Sequence, residues 1–93
     1  MRVRLRVQLK LRGKDANGKP FEEMTTTENV SLSAFLCGCT AVLKKDALVD
    51  VFLTSGNEQL VGQASVVRSE AVETAYPRYA FRFVEKVGDW VLH

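Results

Sequence analysis

An uninterrupted alternation over residues 2–12 constrains this chain more than any other feature. Val3, Leu5, Val7, Leu9 and Leu11 are apolar, and the six residues flanking them are polar, five of them cationic. A period of two cannot form a helical stripe; it predicts an extended strand with one apolar and one cationic face. Such a strand must lay its apolar face on other strands, so the rest of the chain has to supply a sheet.

Five further extended segments answer that requirement. Asp15-Ala-Asn-Gly-Lys-Pro20 is a turn, with Asn17-Gly18 as the expected positive-φ pair, and Phe21–Val30 follows as a Thr- and Glu-rich strand solvated on one side. Ser33–Val42 reads as a third strand in which Gly38 marks a bulge or a close approach. Lys44-Lys45-Asp46 turns the chain into Ala47–Thr54, and Ser55–Glu58 turns it again into Leu60–Arg68. Tyr79–Val84, just after Pro77, is the sixth strand. For residues 85–93 one option is a terminal helical turn that carries Val87, Trp90 and Val91 onto the sheet. Six short strands with regular turn signals predict an all-β fold, a single antiparallel sandwich or small closed barrel spanning 1–93. The core candidates are Val3, Leu5, Val7, Leu9, Phe35, Val49, Val51, Leu53, Val67, Phe81 and Phe83.

Ninety-three residues, 46% hydrophobic and 26% charged, describe one globular domain. No apolar run nears the roughly 18 residues of a membrane span, and no apolar secretory region follows the basic N-terminus. A cytoplasmic protein that does not engage membrane is expected. The net charge of +2 is unevenly spread. Residues 1–20 carry seven basic side chains against Asp15 alone, a net +6, and residues 21–93 carry six basic and ten acidic, a net −4. One basic end on a nearly neutral domain points to a local anionic partner.

Catalytic patterns are lacking. The sole histidine is the last residue, no paired carboxylates stand out, and no Gly-rich phosphate loop joins a strand to a helix. Cys37 and Cys39 would share one strand face at a spacing unsuited to a mutual disulfide, and a zinc site would need further ligands. They are expected as reduced, buried small hydrophobes, with neither metal nor cofactor. A non-enzymatic binding module is therefore expected.

Asn29 and Ser31 stand two apart where a polar strand turns apolar, so on extended backbone they project from one face. An amide and a hydroxyl together suit a nucleobase edge or a phosphate oxygen, although such residues also cap turns by bonding their own backbone. The tripeptide also matches a glycosylation sequon, which a cytosolic protein does not use.

Arg2-x-x-x-Arg6, followed by Asn29-Val-Ser31-Leu-Ser-Ala34 in an all-β chain of this size, resembles the PilZ family. Its signature is an Arg-x3-Arg pair and a later [Asp/Asn]-x-Ser-x-x-Gly. The order of Thr-Glu-Asn-Val-Ser, a turn near residue 45, Val-Asp-Val-Phe-Leu and Ala-Phe-Arg-Phe extends the resemblance over nearly the whole chain. It implies a six-stranded antiparallel barrel, generally with a terminal helix, acting as a receptor or adaptor for cyclic di-GMP in bacterial second-messenger signalling. It also implies ligand binding by Arg2, Arg6, Asn29, Ser31 and the position of Ala34. Guanidinium forks suit both phosphate and the O6/N7 edge of guanine.

Two departures accompany the resemblance. Ala34 replaces the family's glycine, losing positive φ if that position needs it. The family's arginines precede the first strand, whereas here alternation begins at Val3. On a regular strand Arg2 and Arg6 would stand roughly 13 Å apart. In a second registration Arg2 is the family's second arginine. Other readings are a degenerate PilZ domain that binds a protein partner through the cationic face or the Trp90 region, and a single-stranded nucleic-acid barrel. The last is disfavoured because strand one has no aromatic residue on which bases can stack.

Overall fold

The computed structural model describes residues 1–70 and 76–92. Its six strands are β1 (Gln8–Lys14), β2 (Pro20–Val30), β3 (Ala34–Gly38), β4 (Leu48–Leu53), β5 (Gln59–Glu70) and β6 (Arg78–Lys86). All pairings are antiparallel, and the order β1-β2-β3-β6-β5-β4 closes through β4 onto β1. The chain is thus an all-β closed barrel, and closure leaves no sheet edge to protect.

The core follows the alternation. Leu9 and Leu11 of β1 point inward with Val30, Val49, Val51, Val61 and Phe81, all fully buried or nearly so. Phe35 is the hub of its aromatic half: its ring lies 5.1 Å from Phe81, 5.4 Å from Phe83 and 5.6 Å from Trp90. Trp90, only 4% exposed, meets Phe83 edge-on at 4.9 Å. Offset and edge contacts of this kind add to the burial of the rings themselves.

Several local expectations change. The β1–β2 loop has a single left-handed residue, Gly18 at φ 77°, rather than an Asn17-Gly18 pair. The Asp15 carboxylate accepts the N–H groups of Asn17 and Lys19, both at 2.9 Å, which holds the turn before the glycine so that only Gly18 has to cross to positive φ. Gly38 is no bulge: it pairs in register with Arg78, and a Cβ there would make only ordinary contact. The close approach lies at Gly62, where a Cβ would collide with the Glu85 carbonyl.

The third strand stops at Gly38 rather than Val42. The Glu23 carboxylate takes the Thr40 N–H at 2.8 Å and the Thr40 hydroxyl at 2.7 Å, drawing the chain off the sheet. Leu43 then drops into the core, its N–H donating to the Tyr79 hydroxyl.

No helix occurs among the described residues, so the helical turn expected over 85–93 is absent up to residue 92; His93 lies outside them. The β5–β6 ladder runs on to Lys86, and the Val87 and Gly88 amides both donate to the Val61 carbonyl. Those bonds fix the backbone against β5 where a helix would need i→i−4 pairing. Trp90 still packs on the barrel, as expected of that segment.

Candidate ligand-binding site

The regular first strand begins at Gln8, not at Arg2. Ahead of it the chain is held by a different set of bonds. Val3 forms an isolated antiparallel bridge with Val30, bonded both ways at 2.8 and 2.9 Å. Leu5 N–H then turns back to the Val3 carbonyl at 2.9 Å, a three-residue turn centred on Arg4. Beyond the turn, the buried Thr27 hydroxyl accepts Val7 N–H at 2.8 Å and donates to the Leu5 carbonyl at 2.7 Å. Alternation therefore continues through a segment that is not a strand. Its core assignments change accordingly: Val3 and Val7 are partly buried against the core, and Leu5 is 38% exposed.

Glu28 is the extra residue of a bulge in β2, lying between the Thr27–Cys37 and Asn29–Leu36 pairs. The bulge changes which side chains follow. After it, Val30 points into the core while Asn29 and Ser31 lie on the outer wall. A second bulge, in β5, leaves Val67 unpaired between Val66 and Arg68. Val67, expected in the core, is instead part of the wall of an outer cavity.

Registration across four strands defines that cavity. One outward row runs Asn29–Leu36–Ala80–Arg68 and the next runs Ser31–Ala34–Arg82–Ser65. Between them lies the inward row Val30–Phe35–Phe81–Val66. The two outward rows form the floor and ends of a cavity of about 270 Å³, and Arg2 enters from the lead-in segment, since the Val3–Val30 bridge sets it against Ser31. Arg2, Asn29, Ser31 and Ala34 thus share one cavity. Arg6 does not reach it. With Arg4, Glu28 and the other side of Asn29 it lines a neighbouring cavity of about 260 Å³.

Both motif side chains keep their polar atoms available. The Asn29 amide makes no hydrogen bond among the described residues, and the Ser31 hydroxyl lies at 3.5 Å from the Ala34 carbonyl, at the limit of a bond. The backbone of this loop is held elsewhere. Trp90 Nε1 donates to the Ser31 carbonyl at 2.8 Å, Lys86 Nζ to that of Leu32 at 2.7 Å, and Phe83 N–H to that of Ser33 at 2.8 Å. Ser31 N–H closes the loop on Ala34. Ala34 itself keeps a negative φ, so the replacement of glycine causes no backbone strain.

The cations divide into two classes. Lys10 sits between Glu58 at 2.8 Å and Glu22 at 3.5 Å; hydrogen bonding to Glu58 first, with added attraction from Glu22, raises its pKa above the ordinary lysine value. Arg12 pairs with Asp50 at 3.2 Å, Arg78 with Glu28 at 2.9 Å and Arg68 with Glu70 at 3.1 Å. Arg2, Arg4, Arg6 and Arg82 make no ion pair among the described residues. The ring nearest the cationic face of β1, Phe52, is buried beneath Lys10 and Arg12 at 4.5 and 4.8 Å, so it offers no free face for a base.

Cys37 and Cys39 are free, buried thiols. Burial first, then the neighbouring Cys39, pushes the Cys37 thiol far up; burial and then Glu23 push Cys39 up to about 12. Neither is a nucleophile at neutral pH. No group of three or more metal-ligating side chains occurs among the described residues.

Arg68 and Arg82 were not singled out in the sequence, and Val67 was expected only as a core residue. Arg82 carries one visible signal, an outward cation between the inward Phe81 and Phe83, but its neighbours depend on the β3–β6 pairing, which no local pattern encodes. No protein-family model, curated protein or solved structure matches the chain at a significant level.

Proposed function

We propose that this chain is a non-catalytic receptor or adaptor domain of the PilZ type that binds cyclic di-GMP. The observation carrying this reading is the single outer-wall cavity that gathers Arg2, Asn29, Ser31 and Ala34, with the polar atoms of Asn29 and Ser31 uncommitted. Arg2 offers a guanidinium fork for a phosphate or a guanine edge, and Asn29 and Ser31 offer donors and acceptors to the same ligand. Placement of Arg2–Arg6 ahead of the first strand agrees with the family pattern, and Ala34 stands in place of the family's glycine without needing positive φ. Each cavity is slightly smaller than the roughly 300–1,000 Å³ of sites for whole small ligands. A dinucleotide would therefore use both, with Asn29 between them and Arg6 serving the second.

Isothermal titration with cyclic di-GMP tests the reading. Saturable heat is expected, and Arg2→Ala should abolish or severely reduce it. Absence of heat and of chemical-shift change at high ligand concentration would refute it. The division of Arg2 and Arg6 between two cavities favours one alternative, a degenerate domain whose exposed cations bind a protein partner without nucleotide. On that reading Arg2→Ala leaves partner binding intact.

A further inference from the structure

We infer that Arg82 forms a second anion-binding pole that takes a phosphate at the end of the site away from Asn29 and Ser31. This rests on the cyclic di-GMP reading and extends it to a residue outside both sequence motifs.

Registration carries the argument. Arg82 lies opposite Ala34 on one side and Ser65 on the other, both short and neither acidic. Its long side chain therefore has no cross-strand carboxylate, unlike Arg12 and Arg78, and no acidic neighbour on its own strand of the kind Glu70 gives Arg68. Lys86, the other cation on β6 near the loop, is held by the Leu32 carbonyl and is not free to do the same work. An exposed cation is usually just solvated. Arg82 differs in that it lines a concave cavity whose opposite wall carries another unpaired guanidinium, Arg2.

The dimensions fit a ligand with two separated charges. Ser31 and Arg82 are two strand spacings apart, roughly 10 Å, and Asn29 and Arg68 are three apart, about 14 Å. The floor between these ends is Ala34, Leu36 and Ala80, with no charge of its own. Arg2 and hydrogen-bonding groups at one end, an uncharged floor and the Arg82 guanidinium at the other suit a purine lying on the floor with a phosphodiester at its far side. Ala34 also gains a role here. A larger residue at that position would occupy the space beside Arg82, so a small side chain is needed there even without positive φ.

The test is titration of cyclic di-GMP into the wild-type chain, Arg82→Gln and Arg12→Gln, each checked by circular dichroism. Arg82 is exposed, so its loss should leave the fold unchanged. Arg12 sits on β1, across the barrel from β6, and serves as the charge-matched control. Loss of a charge-assisted phosphate contact should weaken binding roughly 10- to 100-fold in Arg82→Gln, with less than about a twofold change in Arg12→Gln. Wild-type binding with Arg82→Gln within twofold would overturn the second pole and leave the binding function standing. Equal weakening by both variants would replace the pole with diffuse attraction. Absence of binding by the wild type would overturn both proposals together.

Discussion

Residues 2–7 and 8–12 carry the same alternation and nearly the same charges, yet they build different things. From Gln8 onward the chain is paired on both sides, with Gln8–Lys14 against β2 and Leu9–Gly13 against β4. Before Gln8 the β4 side is empty because β4 ends at Leu53, and the β2 side is interrupted by the Glu28 bulge. Between the Thr27–Val7 backbone bond and the Val3–Val30 bridge, the Thr27 hydroxyl takes the place of a ladder by bonding Leu5 and Val7. The cations diverge as well: Lys10 and Arg12 are neutralised by carboxylates on neighbouring strands and in the β4–β5 loop, and Arg2, Arg4 and Arg6 have none among the described residues. Alternation specifies which side chains face the core. Whether a segment becomes a strand is decided by its neighbours, and backbone bonded outside a regular ladder and unpaired charge occur together at the end of the barrel that carries the cavity.

The largest expected difference between the two regions is in stability. Leu11 and Leu5 occupy the same phase of one alternation. Leu11→Ala removes a fully buried side chain and should cost about 2–5 kcal/mol. Leu5→Ala should cost under about 0.5 kcal/mol, as a surface change does. Urea unfolding of the two variants measures the contrast, and equal losses would show that residues 2–7 are packed as a strand.

Binding should reverse the ranking. Arg6→Ala is expected to weaken cyclic di-GMP affinity by about 1.5–3 kcal/mol if it bonds a phosphate, with stability unchanged. Titration calorimetry beside a melting curve separates the two readouts. An unchanged affinity would confine the site to the Arg2 cavity.

Thr27 joins the two regions and allows the lead-in to be loosened selectively. Thr27→Val keeps the shape but leaves Leu5 C=O and Val7 N–H without their partner, a loss of about 1–3 kcal/mol. Thr27→Ser should restore most of it. Hydrogen exchange gives the sharper test: in Thr27→Val the Val7 amide should exchange much faster while that of Leu11 changes only with global stability. Parallel acceleration of both would mean that the lead-in and the barrel open as one unit.

Much of this contrast was legible in the sequence. The alternation, the Asp15–Pro20 turn and the outward pairing of Asn29 with Ser31 could be read from local periodicity, because each depends on residues a few positions apart. The bulges at Glu28 and Val67 could not, since one inserted residue changes neither composition nor period until its partner strand is known. Trp90 was readable as a packing residue, but its tether to Ser31 spans 59 positions and belongs to the closed barrel. The same is true of Arg82, whose significance depends on the strands beside it.

The thiols of Cys37, in β3, and Cys39, just beyond it, report on the body of the barrel alone. Their pKa values are raised in the fold, so their contribution to stability is fully present below the ordinary value of 9.0 and is lost as pH rises toward the folded value, about 12 for Cys39. Above pH 9 the unfolded chain ionises first, and stability should fall by up to about 1.4 kcal/mol per pH unit for each thiol. Denaturation at pH 8 and pH 10 measures the slope, and Cys39→Ala should remove its share. A thiol reagent at pH 8 should label both cysteines only as fast as Leu11 exchanges, never at the rate of Val7. Labelling at the faster rate would group the cysteines with residues 2–7 and erase the distinction between the two regions.

The smallest effect is expected at Lys10, and it tests the charge half of the comparison. Lys10 is cationic like Arg6 and lies four residues away, but Glu22, Glu58 and the Phe52 ring already hold it. Lys10→Ala should therefore lower the melting temperature slightly, and the difference should shrink as salt is added, because solvent-reached ion pairs are screened. Its effect on cyclic di-GMP affinity should be smaller still, through long-range attraction alone. Arg6→Ala should show the opposite pattern, with a binding loss and no salt-sensitive loss of stability. If Lys10→Ala weakens binding as much as Arg6→Ala does, the carboxylates on β2 and in the β4–β5 loop do not neutralise the strand. The cationic face of residues 2–12 would then act as one surface, and the division at Gln8 would hold for the backbone but not for the charge.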